Sequence, residues 1–184
     1  MAKLVSNTYG DALFDLTLEA GTIDAMLDEV RAVSFALSQN EDLTRLMNHP
    51  KIAKEEKLRL IEDIFADKIS RELTGLMRML VEKDHYAQLD EVLTYYTDRV
   101  KEYKNIGTAY VTSATDLSDA QKEAVRKRLL ETTKYVEFEM HYDTDPGLIG
   151  GMVIRIGDRI VDSSIKNKLY HLTRELTRIK LESR

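Results

Sequence analysis

Four imidazoles, at His49, His85, His141 and His171, are the natural candidates for metal binding or proton transfer, and their spacing supports neither. None falls in the His-Glu-x-x-His register that would place two ring nitrogens on one helix face around a zinc ion. The chain has no cysteine, so disulfides, thiolate metal sites and thiol nucleophiles are excluded. Acidic pairs recur at Asp28-Glu29, Glu41-Asp42, Glu55-Glu56 and Asp90-Glu91. General acid–base work needs an enclosed carboxyl with a shifted pKa. These pairs sit among lysines on amphipathic segments, the pattern of a solvated face. Gly147, Gly150 and Gly151 form the one glycine cluster, but Met152 and Val153 follow it where a phosphate loop needs Lys and Ser or Thr. A dinucleotide fingerprint would need a strand before the glycines and a helix after them. Close backbone packing or a bulge is the reading that fits. No catalytic residue, metal or cofactor is expected.

Nucleic-acid binding is equally poorly served. The densest basic run, Arg126-Lys127-Arg128, is three residues long and lies inside an amphipathic helix. The formal net charge is −5 and the pI about 5.5, the wrong sign for a non-specific phosphate field. The charge is uneven: residues 1–105 carry 14 basic and 20 acidic side chains, and residues 106–184 carry 13 and 12. An acidic first half suits a basic partner segment or simply a soluble surface.

What remains is surface for other proteins, and the elements that would present it. Two prolines, Pro50 and Pro146, leave long uninterrupted stretches. Val5, Tyr9, Ala12, Leu13 and Leu16 recur at helical spacing, and Ile23, Met26, Leu27, Val30, Val33 and Leu37 make a second stripe. Asn40 is a candidate N-cap for a short helix to about Met47. Leu58, Ile61, Ile64 and Phe65 follow, then Leu73, Leu76, Met77 and Leu80, with Met79 and Val81 making that helix apolar over more than half its circumference. Leu89, Leu93, Tyr96, Val100 and Tyr103 complete the helical half.

At Asn105-Ile106-Gly107 the period changes from 3.6 to 2. Thr108–Ser113 reads as a strand, Ser118-Asp119-Ala120-Gln121 as a capping box, and Tyr135–Tyr142 as a half-buried strand. Leu148–Ile156 reads as another strand, Gly157-Asp158 as a hairpin turn, and Asp162 and Ser164 as caps for a last helix lined by Ile165, Leu169, Leu172, Leu176 and Ile179. The fold class expected is two domains: an all-α six-helix bundle over 1–105 and a small α+β domain over 106–184. No stretch reaches the roughly 18 to 20 apolar residues of a membrane span, and the opening Met1-Ala2-Lys3-Leu4-Val5 lacks a signal-type apolar run. A cytoplasmic protein without direct membrane insertion is expected.

The stretch Asp145-x-x-Leu148-x-Gly150-Gly151-x-x-Ile154-Arg155-Ile156-Gly157-Asp158, followed by Asp162-x-Ser164 and then Leu169 and Leu172, resembles the C-terminal signature of the delta subunits of bacterial F-type ATP synthases. Their mitochondrial counterpart is the oligomycin-sensitivity-conferring protein. Tyr9-x-x-Ala12-Leu13 is similar to that family's opening Arg-Tyr-Ala-x-Ala-Leu, with Thr8 in place of the arginine and Gly10 in place of the alanine. Leu80–Tyr86 resembles the family's turn after a leucine-rich helix, with His85 where arginine is common.

The resemblance implies a non-catalytic stator subunit, present once per complex on the cytoplasmic face of the membrane. Its helical domain would bind N-terminal helices of the alpha subunits, and its C-terminal domain the C-terminal helices of the b subunits. Rotation would thereby stay coupled to ATP synthesis. Residues assigned to the alpha-helix groove are Tyr9, Ala12, Leu13, Leu16, Leu76 and Leu80. Those assigned to the stalk side are Gly150, Gly151, Ile154, Arg155, Gly157, Asp158, Asp162 and Ser164. The competing readings are a helical RNA- or transcription-associated module and a phosphate-binding enzyme using Gly147–Gly151.

Overall fold

The structure, a computed structural model, describes residues 2–65 and 68–182, with side chains over 4–65 and 68–174. The chain divides into two compact units, Met1–Lys101 and Glu102–Arg184.

The first unit is helical. Its α-helices are α1 (Ala2–Ala20), α2 (Ile23–Gln39), α3 (Glu41–Met47), α4 (Lys54–Phe65), α5 (Arg71–Glu82) and α6 (Leu89–Tyr103), with a 3-10 turn at Tyr86–Gln88. Their apolar stripes converge on one core that includes Leu13, Val30, Ile61, Leu73, Met77, Leu80, Leu93 and Tyr96. Gly10 sits where a Cβ would run into the Tyr95 ring, so its lack of a side chain lets α1 lie close to α6. Asp11 accepts a hydrogen bond from the Tyr95 hydroxyl at 3.0 Å, and the Arg99 guanidinium stands 5.5 Å from the centre of the Phe14 ring.

One helix end has a different cause from the one the sequence suggests. Asn40 does not cap α3: its side-chain amide donates to the Ala36 carbonyl at 2.7 Å and so closes the end of α2. At the end of α5, Asp84 takes a left-handed φ of 59°. The His85 amide then donates to Leu80 O and the Asp84 amide to Val81 O, the paired bonds of a Schellman stop. Lys54 reaches across to this end, donating to Glu82 O and to the Asp84 carboxylate.

The second unit is α+β. It contains β1 (Ile106–Ser113), α7 (Asp119–Thr132), β2 (Glu137–Thr144), a 3-10 turn at Pro146–Leu148, β3 (Met152–Ile156), β4 (Arg159–Asp162) and α8 (Ile165–Glu182). The sheet order is β2-β1-β3-β4, with β1 parallel to β2 and antiparallel to β3, and β3 antiparallel to β4. The capping box at Ser118 and Gln121 forms as read. The strand expected from Leu148 starts only at Met152. Ile149 and Gly151 take φ of 67° and 77°, which no strand residue adopts.

Alternation divides the sheet's two faces. Ala109, Val111, Phe138, Met140, Ile154 and Ile156 lie on one, and Leu129, Val125 and Leu130 of α7 pack against it. His141, Tyr110, Arg155 and Ile160 make a row across the other.

Candidate functional site

On the helical unit the six residues assigned to a groove do not share one environment. Leu13 and Leu80 are core residues, at 4% and 0% exposure, and Leu76 is buried as well. Leu80 is the most deeply buried of the six and presents no surface in this arrangement. Leu16 is 46% exposed, Ala12 is open, and Tyr9 is partly buried, its ring centre 6.5 Å from that of His85. Val5 and Tyr9, partly buried against the core, and the exposed Ala12 and Leu16 lie along one margin of α1, and α1 packs beside α5.

Met79, part of the apolar surplus the sequence shows on this helix, was not among the residues assigned to the groove. It is 48% exposed, one turn from the open Gly75, where an added Cβ would meet nothing. A cleft of about 570 Å³ beside them is bounded by Glu62, Arg71, Thr74, Arg78 and Glu82. Arg78 pairs with Glu62 at 2.5 Å, which ties α5 to α4 on that side. The signal for Met79 was its place outside the Leu73, Leu76, Met77 and Leu80 stripe on a helix with more apolar residues than one face can bury.

In the second unit, the signature residues build a junction. The Ile165 amide donates to Gly150 O at 2.9 Å, and a Cβ on Gly150 would lie 2.6 Å from Ile165 Cδ1. A Cβ on Gly151 would lie 2.5 Å from Ser163 O. The Ser163 amide and hydroxyl both donate to Met152 O. Asp162 accepts from the Ser164 amide at 2.9 Å, and the Ser164 hydroxyl accepts from the Asn167 amide at 3.2 Å. Hydrogen bonds from Ser164 hold the Asp162 carboxyl below its ordinary range. The glycines therefore admit residues 163–165 across the start of β3, and Asp162 and Ser164 start α8.

The other stalk-side residues are scattered. Ile154 is part of the core face, whereas Arg155 lies 4.6 Å over the Tyr110 ring, which stacks on His141 at 4.8 Å, on the opposite face. Gly157, with φ 54°, and Asp158 form the β3–β4 turn. In α8, Ile165, Leu169 and Leu172 are all more than two-fifths exposed, a stripe without cover. The side chains of Leu176 and Ile179 lie outside the described residues.

Among the described residues no group of three or more His, Asp or Glu converges as a metal site, and no helix is long and apolar enough to cross a membrane. The histidines are dispersed, and the pKa shifts have local causes such as the burial of Tyr86 and Tyr96.

Comparison with known proteins gives this geometry its context. The family model described as ATP synthase delta (OSCP) subunit matches residues 5–176. The ATP synthase subunit delta of Lachnoclostridium phytofermentans is 48% identical over 181 residues, covering 98% of this chain and all of the relative. The protein of that name in Synechococcus sp. strain RCC307 is 30% identical, covering 97% of this chain and 98% of its own. The fold is similar to that of a chain in the cryo-EM structure of the Toxoplasma gondii mitochondrial ATP synthase hexamer, with a TM-score of 0.74 at 16% identity, over 94% of this chain and 97% of that one.

Proposed function

Given that the chain belongs to the ATP synthase delta (OSCP) subunit family, and is thus a non-catalytic subunit of F-type ATP synthase, we propose that it joins the catalytic head to the peripheral stalk through two separate docking faces. The observation that carries this reading is the family match across nearly the whole chain, over both units. A non-catalytic member of that complex has binding as its work. The nucleic-acid and phosphate-enzyme readings have no support beside it.

In this reading the six helices of residues 1–105 act as one bundle that receives N-terminal helices of the alpha subunits. The apolar margin of Val5, Tyr9, Ala12 and Leu16 supplies one wall. Leu76 and Met79 of α5 supply the other, Met79 as its exposed part. An amphipathic helix laid in such a groove is held by i, i+3, i+4 apolar anchors. The acidic balance of residues 1–105 favours a basic partner and speeds encounter more than it tightens binding. Residues 106–184 meet the C-terminal helices of the b subunits, which places the protein, in one copy, on the cytoplasmic face of the membrane complex.

The test is titration calorimetry of the full chain with a synthetic alpha N-terminal helix. Leu16→Asp and Met79→Asp are expected to weaken binding at least tenfold while leaving the helical circular dichroism unchanged. Undiminished binding by both variants would remove the groove assignment.

A further inference from the structure

Glycine is the poorest helix former after proline, yet α1 carries Gly10 near the middle of its 19 residues. The three atoms nearest to an added Cβ there all belong to the Tyr95 ring, and the closest, Cδ1, would be overlapped. Gly75, the glycine inside α5, has open space at the same point. Gly10 is therefore matched to a ring of its own chain: half-buried Tyr95 of α6 fills the notch that Gly10 leaves in α1.

The next residue extends the contact. Asp11 accepts from the Tyr95 hydroxyl at 3.0 Å and stands 3.6 Å from Nε of Arg99, one turn further along α6. Apolar burial of Leu13 and Phe14 holds α1 to the core but is non-directional, so it leaves the rotation of α1 about its own axis weakly specified. A ring seated in a notch and a hydrogen bond are directional, and both sit on the flank of α1 toward α6. Tyr9 and Leu16 lie about 100° and 120° round the helix from Gly10, on the side away from Asp11. Side-chain ends stand about 5 to 6 Å from a helix axis, so a roll of about 20° moves them by about 2 Å. That is about half the distance between two carbons in contact.

We infer that Tyr95 is a positioning residue for the groove on the helical unit. Seated against Gly10 and bonded to Asp11, it sets the roll of α1, and so the placing of Tyr9, Ala12 and Leu16 opposite Leu76 and Met79. It acts through α1 and not by contact with the incoming helix. This rests on the reading that the groove receives an N-terminal helix of an alpha subunit.

The test is titration calorimetry of the full chain with a synthetic alpha N-terminal helix, beside urea unfolding of each variant. Gly10→Ala is expected to weaken binding about tenfold, and to have no further effect in a Tyr95→Ala background, where the ring is gone. Tyr95→Phe keeps the ring, loses the bond to Asp11, and is expected to weaken binding about threefold; it decides the matter if Gly10→Ala does not fold. Ile61→Val, a core change on α4, lowers stability without touching α1 and is expected to leave the affinity of the folded chain unchanged. The inference is overturned if Gly10→Ala and Tyr95→Phe bind as the parent does, if Gly10→Ala weakens binding equally without the Tyr95 ring, or if Ile61→Val weakens it as much. In each of these cases the groove reading stands as long as Leu16→Asp and Met79→Asp still weaken binding. If those two have no effect either, the groove reading falls and the inference with it.

Discussion

The Tyr96 hydroxyl lies 3.1 Å from Thr17 Oγ1, joining α6 to α1 across 79 residues of sequence inside the core. Both side chains are fully buried. Thr17 already donates its hydroxyl proton to Phe14 O at 3.0 Å, so Tyr96 is the donor in the pair. The two ends of the bond are then unequal. Tyr96→Phe removes a donor from an oxygen that keeps its own bond, and costs about 1 kcal/mol. Thr17→Val strands a buried phenol, and costs about 2 to 3 kcal/mol. Urea unfolding of the two variants is expected to rank them in that order, with the double variant close to Tyr96→Phe. The reverse order would assign the proton the other way.

Burial pushes the Tyr86 phenol up to about 12. The folded chain therefore holds this proton more tightly than the unfolded chain, whose tyrosine titrates near 10. The resulting stability is complete below about pH 10 and is lost as the pH rises through 12, a loss of about 2 to 3 kcal/mol from this one group. Tyr96, also raised by burial, acts in the same direction. Tyr86→Phe is expected to flatten the alkaline fall measured by denaturant titration at successive pH values.

Gly151 and Gly157 both have positive φ, but only Gly151 is also crowded, by the Ser163 carbonyl. Gly157→Ala carries backbone strain alone, about 1 kcal/mol. Gly151→Ala adds a backbone clash and is expected to cost at least twice that. Hydrogen exchange at Ile165, whose amide bonds to Gly150 O, reports the difference directly. Equal protection in the two variants would mean that residues 163–165 do not rest on the glycine pair.

The depressed Asp162 pKa makes the start of α8 sensitive to acid. A carboxyl lowered on folding contributes stability that is present above its unfolded value, near 4, and lost as pH falls through its folded one. Protection of the Ser164 amide, which donates to Asp162, measured relative to the intrinsic exchange rate at each pH, is expected to fall in that acidic window. Asp162→Asn should show the same protection factor at neutral and acidic pH.

The readable parts of the fold were those with local causes. The capping box at Ser118 and Gln121 is contained in four residues, and the change of period near Asn105 is a property of short windows. Asn40 misled because the same amide can close the helix before it or open the one after it, and the Ala36 carbonyl was in reach. Leu80 and Met79 show the larger difficulty. Adjacent apolar residues point about 100° apart on α5, and which one is buried depends on how the helix is rolled by partners such as Glu62. The glycine pair was legible as a place of close approach, but its partner, Ser163–Ile165, comes from another part of the chain.

Among the described residues the second unit buries few large side chains; Val111, Leu129, Phe138 and Leu148 are the main ones, against more than twenty in the helical core. A core that small opens often. Limited proteolysis of the free protein is expected to cut first within residues 106–184 and to spare 2–103. In a cell, that difference amounts to a form of stock control. Under the proposed docking, copies bound in the complex are sealed at this domain and surplus copies present a loosely closed one to proteases, so the amount that persists is expected to follow the number of complexes built.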